Sequence, residues 1–214
     1  METATKPKSA RERLLDTASR LFYERGFQAV GVDEIVAESG VAKMTLYRHF
    51  PSKDDLVVAY LKRADDEFCD WFERALATAR DPRDKIVAVF TGLGALAQSA
   101  QCLGCTFQMS ASEYPDPRHP AHKIAVAHKK EARRQFATLA KQAGLREPEA
   151  LADQLLMLMD GAWVAARMFD RANPARHVAA AAEALLRAHS NRGARTKRRI
   201  AAPITRMAGV RQDV

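Results

Sequence analysis

The sequence predicts an all-α protein, and three observations support this fold class. Apolar residues recur every three or four positions along most of the 214-residue chain, as they do on the buried face of a helix. Proline stands at predicted helix starts, where the missing amide hydrogen is harmless; examples are Pro82, Pro148 and Pro174. After Pro51, no stretch alternates apolar and polar residues as a half-buried strand would.

The first predicted helix has a start signal, an apolar stripe and a stop signal. Ser9 and Glu12, three residues apart, form a capping box. Gly26 can adopt the positive φ angle that ends a helix. The stripe between them consists of Leu14, Leu15, Ala18, Leu21 and Phe22.

Two short helices follow, and they have the layout of a helix-turn-helix. Ile35 belongs to the buried face of the second helix, and Gly40 forms the turn. Leu46 and Phe50 lie four residues apart and are expected to bury the third helix, which Pro51 ends. In this motif, the helix after the turn enters the major groove of DNA.

The third helix leaves a basic, aromatic and hydroxyl-bearing set of side chains pointing outward. One interpretation is the solvated face of a small helical bundle. The other is a DNA-reading surface, because phosphate oxygens and base edges are bound by these residue types. The set comprises Lys43, Thr45, Tyr47, Arg48 and His49.

The segment from Arg11 to about Leu61 resembles the DNA-binding domain of the tetracycline-repressor (TetR) family. The resemblance rests on the Leu21-Phe22…Gly26-Phe27 and Ile35-Val36…Gly40-Val41 pairs, and above all on the Thr-Leu-Tyr-Arg-His-Phe-Pro-Ser-Lys run at 45–53. It implies a transcriptional regulator that binds a double-stranded DNA operator. It also implies DNA contacts for Lys43, Thr45, Tyr47 and His49, and a phosphate contact for Lys53.

The sequence departs from the family pattern at four positions in this domain. Val30 and Gly31 stand where the family usually has a hydroxyl residue that caps the second helix and touches phosphate. Ala42 replaces a frequent Ser, and Met44 replaces a common Gly. The first three departures remove hydroxyl groups from the expected phosphate-binding surface.

Six further helices are predicted, at 56–80, 82–101, 105–113, 120–142, 148–171 and 174–189. The last two are rich in small and apolar residues, which suit either an internal core or a self-complementary dimer face. The family resemblance favours a homodimer through these two helices. A dimer would place two recognition helices on one palindromic operator.

The resemblance also implies that a small-molecule effector binds inside the C-terminal helical domain. Candidate lining residues are apolar or aromatic, with sparse polar groups, as in most ligand pockets. They are Phe90, Leu93, Leu96, Phe107, Met109, Tyr114, Met159 and Trp163. The alternative is that they form a packed core without a cavity.

Three cysteines, an odd number, argue against a disulfide framework. Cys102 and Cys105 form a C-x-x-C pair, and His119 with His122 follows at a spacing loosely like that of a zinc finger. The intervening stretch lacks a finger's apolar pattern, so buried structural thiols are the favoured interpretation. A thiol- or metal-responsive regulator using Cys102 and Cys105 remains an alternative. No cofactor is expected.

Composition bounds the remaining possibilities. The net charge of +8 favours an anionic partner, and seven basic residues but one acidic residue follow Ser190. No apolar run reaches the length of a membrane span, and the N-terminus lacks a signal-peptide core, which predicts a cytoplasmic protein. We therefore expect a DNA-binding domain at 9–55, a ligand-binding and dimerisation domain at 56–189, and a basic, disordered tail at 190–214.

Together these observations predict a ligand-released, homodimeric repressor. No nucleophile–base pair or phosphate-cradling glycine loop supports an enzyme. A third possibility is a ligand-binding protein without specific DNA binding, which the missing hydroxyls at Val30, Gly31 and Ala42 would favour.

Overall fold

The computed structural model describes residues 7–169 and 173–190, and within these ranges the chain is all-α. Most of the predicted basic tail, residues 191–214, lies outside the described residues, as does the predicted helix end at 170–171. The helices are α1 (Ala10–Arg25), α2 (Val32–Ser39), α3 (Lys43–His49), α4 (Lys53–Ala77), α5 (Pro82–Ala97), α6 (Thr106–Glu113), α7 (Pro120–Gln142), α8 (Pro148–Met168) and α9 (Val178–Ala188), with a 3₁₀ turn at Pro174–His177.

The predicted start and stop signals of the N-terminal helices are confirmed. The Ser9 hydroxyl accepts a hydrogen bond from the Glu12 amide, and the Glu12 carboxylate accepts one from the Ser9 amide at 2.7 Å. Gly26 ends α1 with φ of 89°, and Gly40 follows α2 in the left-handed region with φ of 61°. The turn at Gly26 sets the direction of α2 relative to α1, and the turn at Gly40 sets the direction of α3 relative to α2.

A ring of aromatic side chains forms the centre of the N-terminal domain. Phe27 lies just after α1, and its ring centroid is 5.4 Å from that of Phe22 and 5.9 Å from that of Tyr60 on α4. Tyr114, which follows α6, completes the cluster with its centroid 5.7 Å from Phe27. Leu46 is fully buried in the same cluster, so α3 packs on it through one face only.

A second core fills the C-terminal domain. Phe136 of α7 stands between Phe72 of α4 and Phe90 of α5, with centroid distances of 5.7 and 5.5 Å. Residues of α8 and α9 close this core, including the fully buried Leu155 and Leu186. Because α4 contributes to both cores, it connects the two domains mechanically.

The N-terminal core includes residues beyond the domain boundary that was predicted between residues 55 and 56. Leu56 and Leu61 belong to the N-terminal core, although both were assigned to the C-terminal domain. Phe107 of α6 and Ala121 of α7 also join the N-terminal core. The division into 9–55 and 56–189 stays a prediction, and the packing places the first two turns of α4 with the N-terminal helices.

The last predicted helix, 174–189, begins instead as a 3₁₀ turn before α9. The buried side chain of Asn173 explains this start. Its amide nitrogen donates to the Ala97 carbonyl at 2.8 Å, and its oxygen accepts from the Ala175 amide at 2.9 Å. This anchor fixes the chain to the end of α5.

In the described residues, no helix is both long enough and apolar enough to cross a membrane.

Replacing Phe27 by alanine should lower the free energy of unfolding by about 3–5 kcal/mol, because it removes the ring shared by α1, α4 and α6. Urea denaturation followed by circular dichroism measures the change. The control is Met44→Ala in the same domain, where the side chain is exposed and the change should stay within about 0.5 kcal/mol. A loss below about 1 kcal/mol for Phe27→Ala would contradict the central role of this ring.

Candidate DNA-binding surface and adjoining cavity

One side of helix α3 packs against the N-terminal core, and the other side is exposed to solvent. Leu46 and Phe50 are buried, and the guanidinium of Arg11 lies 5.2 Å above the Phe50 ring. The predicted DNA-contacting residues are placed on the open part: Lys43, Tyr47, Arg48 and His49 are exposed, and Thr45 and Lys53 are half-buried. The structure therefore brings the predicted set together on one accessible surface.

Lys43 is not a free cation in this arrangement. Its ammonium group lies 2.6 Å from the carboxylate of Asp33 on α2, and hydrogen bonding to this carboxylate raises the pKa of Lys43. Both side chains are largely exposed, so the ion pair is weak and can be exchanged for another anion. Asp33 is absent from the set predicted from the sequence, because a pairing across the turn cannot be read from helix periodicity alone.

The departures from the family pattern have a structural counterpart at two helix starts. Among the described residues, no side chain caps α2 at Gly31 or α3 at Ala42, whereas Ser52 and Asp81 cap α4 and α5. Val30 is fully buried and contributes to the core instead. The first amides of α2 and α3 thus keep their hydrogen-bonding capacity.

A cavity of about 460 Å³ lies between the DNA-binding domain and the C-terminal helices. Its walls come from α1, α4, α7, α8 and the segment from Leu96 to Phe107, and they are mainly apolar. Aromatic side chains dominate the lining: Tyr23, Tyr60, Phe68, Trp71, Phe107 and Trp163. The size and lining are those of a small-molecule site.

The polar groups of the cavity wall are few and mostly engaged. His128 is buried and bonded through Nδ1 to the Asp65 carboxylate at 2.6 Å, and burial lowers its pKa, so the ring is neutral near pH 7. Burial also raises the pKa of Tyr60 to about 12. Thr106 Oγ1 is buried in the same wall, and its interaction with the Tyr60 hydroxyl lowers the pKa of Tyr60 against the larger effect of burial.

Tyr23 of α1 connects the cavity wall to the loop between α5 and α6. Its hydroxyl accepts a hydrogen bond from the Leu103 amide at 2.8 Å and donates one to the Gly104 carbonyl at 3.2 Å. Arg167 of α8 reaches the same loop and donates to the Leu103 carbonyl at 3.1 Å. Gly104 has φ of 92°, and a Cβ there would lie 3.1 Å from the Trp163 carbonyl oxygen, so this close approach requires glycine.

The predicted lining residues lie in different surroundings. Phe107, Trp163 and Leu96 line the cavity. Phe90, Leu93 and Met159 are instead packed in the C-terminal core with at most 1% exposure.

Two further predicted lining residues also lie elsewhere. Met109 faces a separate cavity of about 280 Å³, and Tyr114 stacks on His119 with centroids 4.3 Å apart. The physical reason is that α1 and α4 supply much of the wall. Tyr23, Phe68 and Trp71 are only partly buried, which periodicity does not reveal.

The two thiols of the C-x-x-C pair have different surroundings. Cys102 is buried, while Cys105 is partly exposed, with its Sγ 3.5 Å from Nζ of Lys129. His119 and His122 bond elsewhere, to Asp54 and to the Tyr114 carbonyl. Among the described residues, no three His, Cys, Asp or Glu side chains are grouped as metal ligands, so the metal-responsive alternative has no assembled site there. The thiol-responsive alternative stays a prediction.

A helix-turn-helix motif and an apolar cavity that share α1 and α4 are the arrangement of a one-component transcriptional regulator. Residues 14–60 match the family model described as bacterial regulatory proteins, tetR family. The structure superposes on that of a TetR-family transcriptional regulator from Streptomyces coelicolor with a TM-score of 0.82 and 37% identity, over 85% of this chain and 96% of that one. The chain belongs to the TetR family and is a DNA-binding transcriptional regulator.

Curated relatives regulate transcription in both directions. The chain is 25% identical to the transcriptional repressor KstR2 of Mycolicibacterium smegmatis over 181 residues, covering 81% of this chain and 85% of the repressor. It is 42% identical to the transcriptional activator FasR of the same organism over 78 residues, which is 36% of each protein. The match to the activator thus spans about a third of either protein.

Proposed function

We propose that this protein is a cytoplasmic, homodimeric repressor that binds a palindromic operator and is released from it by a small apolar effector. The observation that carries the proposal is that α1 of the DNA-binding domain forms a wall of the cavity. Ser19 and Tyr23 of α1 line the same space as Phe107 and Trp163 of the C-terminal helices. Whatever fills this space contacts both domains at once.

The DNA contacts are assigned to the open surface of α3 and the start of α4. Lys43 and Arg48 are suited to phosphate or to guanine edges, and Tyr47 and His49 to phosphate oxygens. Thr45 is a small hydroxyl donor, and Lys53 at the start of α4 supplies a further cation. Exchange of Asp33 for a phosphate or base acceptor would free Lys43 at little cost, because the ion pair is exposed.

The effector is proposed to be uncharged. Arg20 and Glu67 are the charged side chains of the lining; Arg20 pairs with Glu24 and Glu38, and Glu67 lies mostly in solvent. His128 is neutral, as described above. Burying a charged ligand against such a wall would leave its charge uncompensated, whereas an uncharged, mainly apolar molecule would not carry this cost.

Coupling requires the effector to favour one arrangement of the helices over another. Tyr23 and its hydrogen bonds to Leu103 and Gly104 lie at the cavity wall. An occupant of the cavity would therefore change the position of α1 relative to this loop. Arg63 of α4 donates to the Asp16 carboxylate at 2.6 Å and to the Leu15 carbonyl at 3.1 Å, which makes α1 and α4 move together. The distance between the two α3 helices of a dimer would change with them.

The proposed dimer face is an apolar stripe on α8. Met157, Val164 and Met168 are exposed by 65, 44 and 70%, and Gly161 lies between them. Their spacing of four, three and four residues places them on one side of the helix. A small residue at the centre of such a stripe allows two helices to approach closely. Pairing of α8 and α9 with their copies would cover this stripe.

Replacing both Lys43 and Tyr47 by alanine should abolish specific operator binding while leaving helicity unchanged, because both side chains are exposed. The operator would be located by footprinting the intergenic DNA beside the gene, and affinity would be measured by gel shift. Lys130→Ala, which removes an exposed cation of α7, is the matched control and should bind within about twofold of wild type. Wild-type affinity in the double variant would remove α3 from DNA recognition.

Ala64→Phe should fill the cavity, because Ala64 lies in its wall on α4. Titration with the neutral fluorophore N-phenyl-1-naphthylamine should give saturable emission with wild type and little emission with this variant. Ala77→Phe, an exposed change at the end of α4, is the control and should bind like wild type. Equal binding by all three proteins would argue against this cavity as the effector site.

Val164→Asp should convert the dimer into a monomer and weaken operator affinity by at least tenfold, since a buried carboxylate would face its own copy across the interface. Light scattering after size-exclusion chromatography measures the mass. Val126→Asp on α7 is the matched control, because Val126 is similarly exposed at 37% but lies off the stripe. A dimer that survives Val164→Asp would place the interface elsewhere.

A further inference from the structure

Met44 is more exposed than any other large hydrophobic side chain described, at 76%. It is the second residue of α3, directly between Lys43 and Thr45. Among the departures from the family pattern, this one adds a large apolar group where glycine is common. A single exposed apolar side chain is ordinary on a protein surface, so it is the position of Met44 within the predicted DNA-contacting set, and not its exposure alone, that points to a partner.

The packing of α3 does not use Met44. Val41, Leu46 and Phe50 hold the helix against the core with 5, 0 and 3% exposure. Met44 lies on the opposite, open side, three residues before the exposed ring of Tyr47. Truncation of its side chain would therefore leave the position of α3 unchanged.

The neighbours of Met44 exclude an ordinary protein-docking patch. Lys43, Arg48 and His49 surround it with polar or cationic groups on the same short helix. The apolar dimer stripe is on α8 and does not include it. An isolated apolar group within a cationic surface matches a polyanion that carries an isolated apolar group of its own.

We propose that Met44 is a specificity-determining residue that packs on the C5-methyl group of a thymine in each operator half-site. This inference rests on the proposed function. In the major groove, the thymine methyl is the apolar group that a base edge presents, and cytosine lacks it. The ammonium group of Lys43 binds phosphates or polar base edges and does not distinguish thymine from uracil, whereas a Met44 contact depends on the methyl group.

The test uses the full-length protein and an operator selected from a library of random duplexes. Each thymine of the selected operator is replaced in turn by deoxyuridine, which removes a single methyl group. Affinities for wild type and Met44→Ala are measured by fluorescence anisotropy. Circular dichroism confirms that the variant is folded, and Val126→Ala serves as a control for loss of an exposed apolar side chain elsewhere.

At one thymine per half-site, deoxyuridine should weaken wild-type binding about fourfold, the effect of burying one methyl group. Met44→Ala should bind the thymine operator about as weakly and should lose nothing further with deoxyuridine at that position. Val126→Ala should keep the full sensitivity of wild type. This non-additivity would show that the thymine methyl group contacts Met44.

Four outcomes would overturn the inference. If no deoxyuridine substitution matters, or if its effect adds fully to that of Met44→Ala, Met44 does not contact a methyl group although the operator-binding function stands. If the sensitivity persists in Met44→Ala and disappears in Tyr47→Ala, the contact belongs to Tyr47. If selection enriches no sequence at all, the proposed function fails together with the inference.

Discussion

The packing of Phe27 against Phe22, Tyr60 and Tyr114 fixes the DNA-binding domain on the rest of the molecule. These rings come from α1, α4 and the end of α6, so one buried contact sets the angle between the recognition helix and the C-terminal helices. The Glu113 carboxylate strengthens this junction by accepting a hydrogen bond from the Gln28 amide at 2.7 Å. Both the cavity and the open surface of α3 depend on that angle.

Helix α1 has two roles that are usually separate. On one side it packs against α2 and α3, through residues such as Leu14 and Phe22. On the other side Ser19 and Tyr23 face the cavity, while Arg63 ties the middle of α1 to α4. In the proposed mechanism, a ligand signal need not travel along a chain of intermediates, because the cavity wall and the support of α3 belong to the same helix.

Much of the fold could be predicted from the sequence because its signals are local. Capping by Ser9 and Ser52, the turns at Gly26 and Gly40, and the burial of Leu46 all follow from neighbouring residues. The open face of α3 could be predicted for the same reason.

The cavity lining was harder to predict, because it is a property of how helices distant in sequence fit together. Phe90 and Met159 have the same apolar character as Phe107 and Trp163, yet only the latter two face the cavity. The Lys43–Asp33 ion pair was hard to predict for a similar reason, because it joins two helices across a turn.

The placement of Asp33 beside Lys43 has a consequence for how the protein would locate its operator among the other DNA of a genome. A carboxylate at the protein–DNA contact repels every phosphate backbone alike, and it partly cancels the attraction that any cation exerts on random sequence. Contacts to base edges do not share this penalty. In the proposed complex, the acid would therefore lower the affinity for any DNA whose phosphates approach Lys43, and it would shorten the time spent bound to random sequence.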